Sequence, residues 1–282
     1  MTPPAGRPGP RRGPPGPREQ HGGGARRGIH PLGGDQVEGR RAVLELLTAG
    51  RRRVRRIRIA DGQDPSPQLD EIERVAAHRR VPLETVPRAR LDAEAKTFAP
   101  QGVLALAEPV GPVELARLAS PKRGAPFLLV VAGVTDPQNL GALLRSAAGA
   151  GVSGVVLARH RAAHLSPSVV KVAAGAVEHL AFSVVGGIPA ALEELRRAGL
   201  FTIGLAADGE RSLYGLRIDD APVALVVGGE ERGLAPLVRR RCDEVVSIPQ
   251  RGGVASLNVA AAGTVACFEM ARRRAEAGVI GS

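Results

Sequence analysis

Three short polar segments contain the side chains that could hold a substrate, and each segment lies beside an apolar run. They are DPQNLGALLR at 136–145, GGE at 228–230 and SLN at 256–258. The glycines of the second segment would let a ligand approach bare backbone. The sequence contains no P-loop lysine motif, no G-x-S-x-G elbow and no His or Cys cluster with metal-ligand spacing, so no metal site is predicted.

Each segment alone also has an ordinary structural explanation. Asn139 could cap a helix while Arg145 is a solvated side chain, and the turn before Glu230 could be a plain strand-end loop. Ser256 is a good helix cap, whereas Asn258 inside an apolar helical face would need a polar partner. The occurrence of all three segments in one chain and in this order favours a single site.

A glycine pattern between the first two segments imitates a nucleotide-binding motif. Gly149-Ala-Gly151-Val-Ser-Gly154 matches the dinucleotide string G-x-G-x-x-G. That fingerprint must follow a strand and open a helix, whereas here it closes a predicted helix and leads into a strand. A nucleotide-dependent oxidoreductase is therefore disfavoured.

The elements around these segments alternate between strand and helix. Apolar runs at 127–131, 154–157, 201–205 and 223–227 predict buried strands, with helices at 140–150, 167–175 and 189–198. A strand at 245–248 and a helix from about Ser256 to Arg274 follow. This alternation predicts an α/β domain with a parallel sheet, whose ligands bind beyond the carboxyl ends of the strands.

The chain before this domain has two compositions. Residues 1–34 are rich in Pro, Gly and Arg and are predicted to be a disordered tail. Residues 35–107 predict a small α/β domain, with a first helix that includes Val37 and Leu47 and a strand near Ile57. A Pro-rich linker is expected at 108–125, followed by the second domain at 126–282.

Composition points to a polyanionic partner. Lys and Arg outnumber Asp and Glu by 39 to 28, which gives a formal charge of +11. The small domain carries a run of arginines that predicts a phosphate-gripping surface, although such runs are often only solvated. The run comprises Arg51, Arg52, Arg53, Arg55 and Arg56, with Arg58, Arg79 and Arg80 nearby.

The remaining composition narrows the class of protein. With no Trp, one Tyr and five Phe, the chain is not expected to bind RNA mainly by base stacking. Two cysteines, no long apolar run and no secretory signal predict a cytoplasmic protein without disulfides or a membrane span.

The order and spacing of the motifs resemble one family of RNA-modifying enzymes. Residues 36–275, which include FLLVVAGVTDPQNLG at 127–141 and SLNV at 256–259, resemble the SpoU (TrmH) branch of the SPOUT RNA methyltransferases. Within that branch they are most similar to the 23S rRNA guanosine 2'-O-methyltransferases. The resemblance implies an L30e-like N-terminal domain, a trefoil-knotted catalytic domain, a homodimer, and S-adenosylmethionine as methyl donor to an RNA ribose.

The resemblance also implies which residues form the site. The motif positions that act on the substrate fall on Asn139, Arg145, Glu230, Ser256 and Asn258. The backbone positions that contact the cofactor fall on Gly228, Ile248 and Leu257. One position departs from the family pattern, because Glu231 replaces a motif glycine.

The chemistry predicted for this site is alignment of a ribose hydroxyl with an already activated methyl group. A guanidinium is a poor proton acceptor, so we expect Arg145 to grip the target phosphate while Asn139 and Glu230 position it. The prediction requires Asn139, Glu230 and Asn258 to converge beneath Arg145. Two alternatives stay open: a tRNA methyltransferase, and a catalytically silent RNA-binding or ribosome-assembly protein with the same fold.

Overall fold

The structure is a computed structural model, and it describes residues 32–120, 124–159, 164–218, 221–230, 232–253 and 256–278. Most of the predicted tail therefore lies outside the described residues. Its last three residues do not behave as a tail, because Leu32 is buried and Gly33 pairs with Leu165. The backbone amide of Leu32 also donates to the carbonyl of Val110 at 3.2 Å.

The N-terminal part is a four-stranded sheet with helices. Its strands, in the order β1-β4-β2-β3, are β1 (Gln36–Glu38), β2 (Val54–Ala60), β3 (Leu83–Val86) and β4 (Val103–Ala107). Its helices are α1 (Arg40–Ala49), α2 (Pro67–His78) and α3 (Arg88–Glu94). The prediction that Val37 belongs to the first helix is wrong: Gly39, with φ of 97°, turns the chain between β1 and α1.

The second part contains a seven-stranded sheet in which every pairing is parallel, as predicted. The strands, in the order β7-β6-β5-β10-β8-β11-β9, are β5 (Phe127–Ala132), β6 (Gly154–Ala158), β7 (Phe182–Val185), β8 (Phe201–Leu205), β9 (Arg211–Ser212), β10 (Val223–Gly228) and β11 (Glu244–Ser247). The helices are α4 (Leu115–Ala119), α5 (Pro137–Gly149), α6 (Pro167–Val172), α7 (Ile188–Arg197), α8 (Pro236–Arg241) and α9 (Val259–Glu276). The trefoil knot stays a prediction.

The glycine pattern at 149–154 lies where the sequence placed it. Helix α5 ends at Gly149, Gly151 has a φ of 77°, and Gly154 begins β6. These glycines leave a helix rather than enter one, so they offer no helix N-terminus to a pyrophosphate.

The segment predicted to be a linker is packed against the second sheet. Helix α4 buries Leu115 and Leu118, which lie three residues apart and therefore on one face. Both belong to a core cluster that also contains Leu128 and Leu192, from β5 and α7. The expectation of an irregular connection was wrong here because the prolines flank the helix and do not interrupt it.

The two sheets share one hydrophobic core. A single cluster contains Val37 and Leu46 from the N-terminal part and Leu129 and Leu143 from the second part. Both cysteines are free thiols, and burial raises the pKa of Cys242 to about 11 and that of Cys267 to about 12. In the described ranges, no helix combines the length and the apolar content needed to cross a membrane.

A buried ion pair also joins the two parts. The Arg52 guanidinium donates to Glu178 Oε2 at 2.9 Å and to the carbonyls of Gly34 and Glu108 at 2.7 and 2.6 Å. The Arg52 and Glu178 side chains are 8% and 2% exposed. Arg52 was predicted to lie on an RNA-facing surface. Its donors instead bond to groups inside the protein.

Candidate active site

Asn139 is held at the start of α5, directly after β5. The helix is capped by Asp136, whose carboxylate accepts from the Asn139 amide at 2.9 Å, and Pro137 occupies the first turn. Asn139 is thus not the cap itself. Its side-chain amide is left to bond outside the helix.

Asn258 caps the final helix, which corrects the predicted helix start. Its Oδ1 accepts from the amides of Ala260 and Ala261 at 2.8 and 3.3 Å, so α9 begins after it. Its Nδ2 donates to Asn139 Oδ1 at 2.9 Å. Ser256, the expected cap, is exposed two residues earlier.

Glu230 completes this group from the end of β10. Asn139 Nδ2 donates to Glu230 Oε1 at 3.0 Å. The Asn139 amide therefore links Glu230, 91 positions away along the chain, to Asn258, 119 positions away. We call Asn139, Glu230 and Asn258 the amide-carboxylate group. An amide that donates to one partner and accepts from the other fixes the orientation of all three side chains.

The loop before Glu230 is built from close backbone contacts that only glycine permits. A Cβ on Gly228 would lie 2.1 Å from the carbonyl carbon of Gly233, and one on Gly229 would lie 2.6 Å from the oxygen of Gly133. The Gly229 and Gly233 amides each donate to the other's carbonyl, at 3.1 and 3.0 Å. The departure from the family pattern at Glu231 lies outside the described residues.

A pocket of about 810 Å³ lies at the carboxyl ends of β8, β10 and β11. It is lined by all three residues predicted to contact the cofactor, Gly228, Ile248 and Leu257. Glu230, Ser256 and Asn258 also line it. The site therefore combines bare backbone, apolar side chains and a carboxylate in one cleft.

Among the charged residues of this pocket that sequence reasoning missed, two form a pair. Asp208 and Arg239 both line it, and Arg239 donates to Asp208 Oδ1 at 2.6 Å. The hydrogen bond from Arg239 lowers the pKa of Asp208 below its usual range. Asp208 follows strand β8, so the rule that ligands bind beyond strand ends could have identified it.

Arg145 is not brought into the amide-carboxylate group. It is exposed on α5, six residues beyond Asn139, which is about 9 Å along a helix and on a different face. For the residues described, no hydrogen bond or ion pair joins Arg145 to Asn139, Glu230 or Asn258. The convergence predicted from sequence holds for three residues and not for Arg145.

The predicted arginine surface is divided by the fold. Four of its members are exposed: Arg51, Arg53, Arg55 and Arg56. Arg51 also donates to the Glu178 carbonyl at 3.0 Å. Arg58, which lies farther along β2, is buried and bonded to Glu84 at 3.1 Å. The side-chain hydrogen bond to Glu84 raises the pKa of Arg58.

Two known families match this chain. Residues 126–268 match the SpoU rRNA Methylase family, and residues 36–113 match the family described as RNA 2'-O ribose methyltransferase substrate binding. The first match covers the seven-stranded sheet and the pocket, and the second covers the four-stranded sheet.

Individual relatives agree with the family matches. The chain is 37% identical over 243 residues to the 23S rRNA (guanosine-2'-O-)-methyltransferase RlmB of Pseudomonas aeruginosa, covering 85% of this chain and 97% of that protein. It is 41% identical over 201 residues to the RlmB of Ralstonia nicotianae, covering 71% and 79%. The crystal structure of the SpoU methyltransferase AviRb from Streptomyces viridochromogenes with AdoMet superposes with a TM-score of 0.70 at 26% identity, covering 86% and 90%.

Proposed function

Because this chain belongs to the SpoU rRNA methylase family, we propose that it transfers a methyl group from S-adenosylmethionine to the ribose 2'-hydroxyl of a guanosine in 23S rRNA. The observation that supports this most is the amide-carboxylate group at the mouth of a glycine-walled pocket. A silent RNA-binding protein would have no need to keep three polar side chains bonded at a pocket.

The pocket fits the methyl donor by its lining. Gly228 and Gly229 form part of the pocket wall without side chains, which lets a nucleoside approach the backbone closely. Ile248 and Leu257 supply apolar contacts for a planar base. S-adenosylmethionine, when bound there, supplies a methyl group that is already activated for transfer.

The residues of the chain then need to hold one hydroxyl in line with that methyl group. Glu230 is exposed at the pocket mouth, and Asn139 binds only one of its two carboxylate oxygens. We assign the other oxygen to the ribose 2'-hydroxyl, which donates to it. Glu230 would accept the proton of that hydroxyl, and a bound donor would supply the methyl group, whose bond to sulfur breaks as the bond to the hydroxyl oxygen forms.

Asn139 acts on this step through Glu230. Its hydrogen bonds to Glu230 and Asn258 tie the carboxylate to the cap of α9, which also forms a pocket wall. The donor and the acceptor of the methyl group are therefore positioned by one connected set of bonds. Alignment of this kind supplies much of the rate enhancement in transfers between two bound substrates.

The direct test is methyl transfer to defined RNA. Purified protein, labelled S-adenosylmethionine and an in vitro transcript of 23S rRNA should give one methylated guanosine, mapped by resistance of its 3' linkage to alkali. The Glu230→Gln variant keeps the shape of the side chain but is expected to lose transfer while retaining cofactor binding. Labelling of a tRNA transcript instead of 23S rRNA would favour the tRNA alternative, and no labelling of either RNA would contradict the proposal.

We also propose a homodimer that uses the exposed face of α5 and α9. Phe268 is 48% exposed on α9, and a Cβ on Gly149 would lie 3.5 Å from its ring. Arg145 is four residues before Gly149 and so on the same face of α5. In such a dimer, Arg145 of one subunit can serve the pocket of the other and grip the target phosphate there.

We propose that the exposed arginines in β2 and directly before it bind RNA phosphates. Arg53, Arg55 and Arg56 lie on the domain that matches the substrate-binding family. Guanidinium groups pair with phosphate oxygens, and such contacts position an RNA without reading its sequence. A cytoplasmic location and a knotted catalytic domain accompany this proposal as predictions from sequence.

A further inference from the structure

The loop between α3 and β4 is fixed by a buried carboxylate. Glu38 is fully buried, and its Oε1 accepts from Gln36 Nε2 and from the Lys96 amide, both at 2.7 Å. Its Oε2 accepts from the Thr97 amide at 3.0 Å and from the Thr97 hydroxyl. A buried charge that is satisfied by four donors holds the backbone of this loop in one place.

The same loop is also held by the second domain. Lys171, on α6, donates to the Thr97 hydroxyl at 3.3 Å, to the Ala99 carbonyl at 2.7 Å and to the Phe98 carbonyl. Ala99 and Gln101 have positive φ values of 53° and 56°, which cost free energy for residues other than glycine. The loop keeps this backbone because both domains bond to it.

Phe98 stands out on this fixed loop. It is 99% exposed, whereas the next most exposed large apolar or aromatic side chain among those described, Tyr214, is 52% exposed. A phenylalanine ring that contacts nothing gives up the free energy that burial of apolar surface would provide. A rigid loop that displays such a ring is prepared for a flat apolar ligand.

The surroundings of Phe98 indicate which ligand that is. Lys96 is exposed two residues before Phe98, and the helix that leads into the loop exposes Arg88 and Arg90, which pair with Asp92 and Glu94 of the same helix. The loop also lies inside the segment 36–113 that matches the substrate-binding family. A flat apolar surface with basic neighbours suits a nucleobase that is attached to a phosphate backbone.

We propose that Phe98 stacks on an unpaired base of the RNA substrate. This inference rests on the proposed function and adds a specificity element to it, because a stacking ring requires a base that is free of its helix. The loop is bonded to α6 of the catalytic part, so the base would be held at a fixed distance from the pocket.

The chain lends itself to a direct test because it contains no Trp. In the Phe98→Trp variant, the single introduced indole should lose fluorescence when a 23S rRNA transcript is added and should lose little with a fully paired RNA duplex. The Tyr214→Trp variant places a single indole on an exposed surface outside the matched substrate-binding segment and should show no quenching with either RNA.

Binding measurements give the second readout. The Phe98→Ala variant should bind the transcript about fivefold to about 100-fold more weakly than the wild type, with unchanged affinity for S-adenosylmethionine. The Tyr214→Ala variant should bind both normally. Equal RNA affinity of Phe98→Ala and wild type, or absence of quenching in Phe98→Trp, overturns the inference.

Two further outcomes separate this inference from the proposed function. Suppose that the transcript binds the wild type and quenches the fluorescence of Phe98→Trp, but that the wild type transfers no methyl group. The proposed function then fails and the stacking role stands. If the introduced indole changes emission with protein concentration in the absence of RNA, the ring faces a second copy of the chain and the stacking role fails.

Discussion

At the scale of single residues, the amide of Asn139 is the part of the site most sensitive to chemical change. Asn139→Asp preserves the shape but places a carboxylate at 3.0 Å from that of Glu230. We expect methyl transfer to fall by about 100-fold at neutral pH, because the donor is lost and two like charges face each other.

The same substitution should make the rate of methyl transfer increase as the pH falls. Two facing carboxylates share a proton at a raised pKa, so protonation restores one hydrogen bond as the pH falls. Transfer by Asn139→Asp should therefore rise from about pH 8 to about pH 6, measured as labelled methyl incorporated per unit time. Gln138→Glu adds the same charge one residue earlier, on an exposed side chain, and should behave as the wild type.

Sequence alone identified the three residues of the amide-carboxylate group but not what each does. Polar segments at the ends of apolar runs are visible in a sequence, and the resemblance to a known family assigned Asn139, Glu230 and Asn258 within them to the site. Ser256 and Asn258 are both good helix caps, and the choice between them depends on Asn139, 119 positions away. The burial of Arg52 depends in the same way on Glu178, which is 126 positions away.

At the scale of elements, the turn after β10 is the feature that local substitution should damage most. Gly228→Ala would place a methyl group 2.1 Å from the backbone of Gly233, so the turn must open. We expect loss of S-adenosylmethionine binding by calorimetry and a lower melting temperature.

A matched alanine substitution controls for the loss of a glycine as such. Gly186 has open space around the position of a Cβ and no positive φ, so Gly186→Ala should leave both cofactor binding and melting unchanged. Normal cofactor binding by Gly228→Ala would argue against a backbone-lined cofactor pocket.

The strands of the second sheet were predictable because parallel strands buried on both faces read as continuous apolar runs. Strand β7 and helix α8, with four and six residues, were both missed. Helix α4 was hidden by its flanking prolines. Its identity depends on packing against α7, which no local pattern reveals.

At the scale of the whole molecule, the buried Arg52–Glu178 pair adds to the shared hydrophobic core that joins the two parts. Arg52→Ala leaves the Glu178 carboxylate buried without its cation, which costs about 3 to 5 kcal/mol of folding free energy. Arg53→Ala, at the exposed neighbour, should change stability by less than about 0.5 kcal/mol in the same denaturant titration.

In RNA binding, the substitution at Arg53 should have the larger effect, whereas in stability the substitution at Arg52 has it. Arg53→Ala should weaken RNA affinity and lower its dependence on salt, because one phosphate contact is lost. Arg52→Ala, where it remains folded, should keep the salt dependence of the wild type. A lower salt dependence in Arg52→Ala, with that of Arg53→Ala unchanged, would show that Arg52 contacts RNA and that Arg53 does not.

The proposed dimer makes a prediction that a monomer cannot satisfy. Arg145→Ala and Glu230→Ala subunits are each expected to be inactive, but mixed dimers should recover activity if Arg145 serves the other subunit's pocket. In that arrangement one of the two pockets has both residues, whereas Arg145 acting within its own chain leaves both pockets incomplete. Methyl transfer by the separately purified variants and by tagged mixed dimers decides between the two.

The bond between Asn139 and Asn258 carries a consequence for how the enzyme matures. Strand β5 and Asn139 emerge early during synthesis, whereas Asn258 and α9 emerge more than a hundred residues later. A nascent chain that has passed β11 already possesses Asn139 and Glu230 but lacks the far wall of its pocket. The pocket is therefore complete only once synthesis has reached α9.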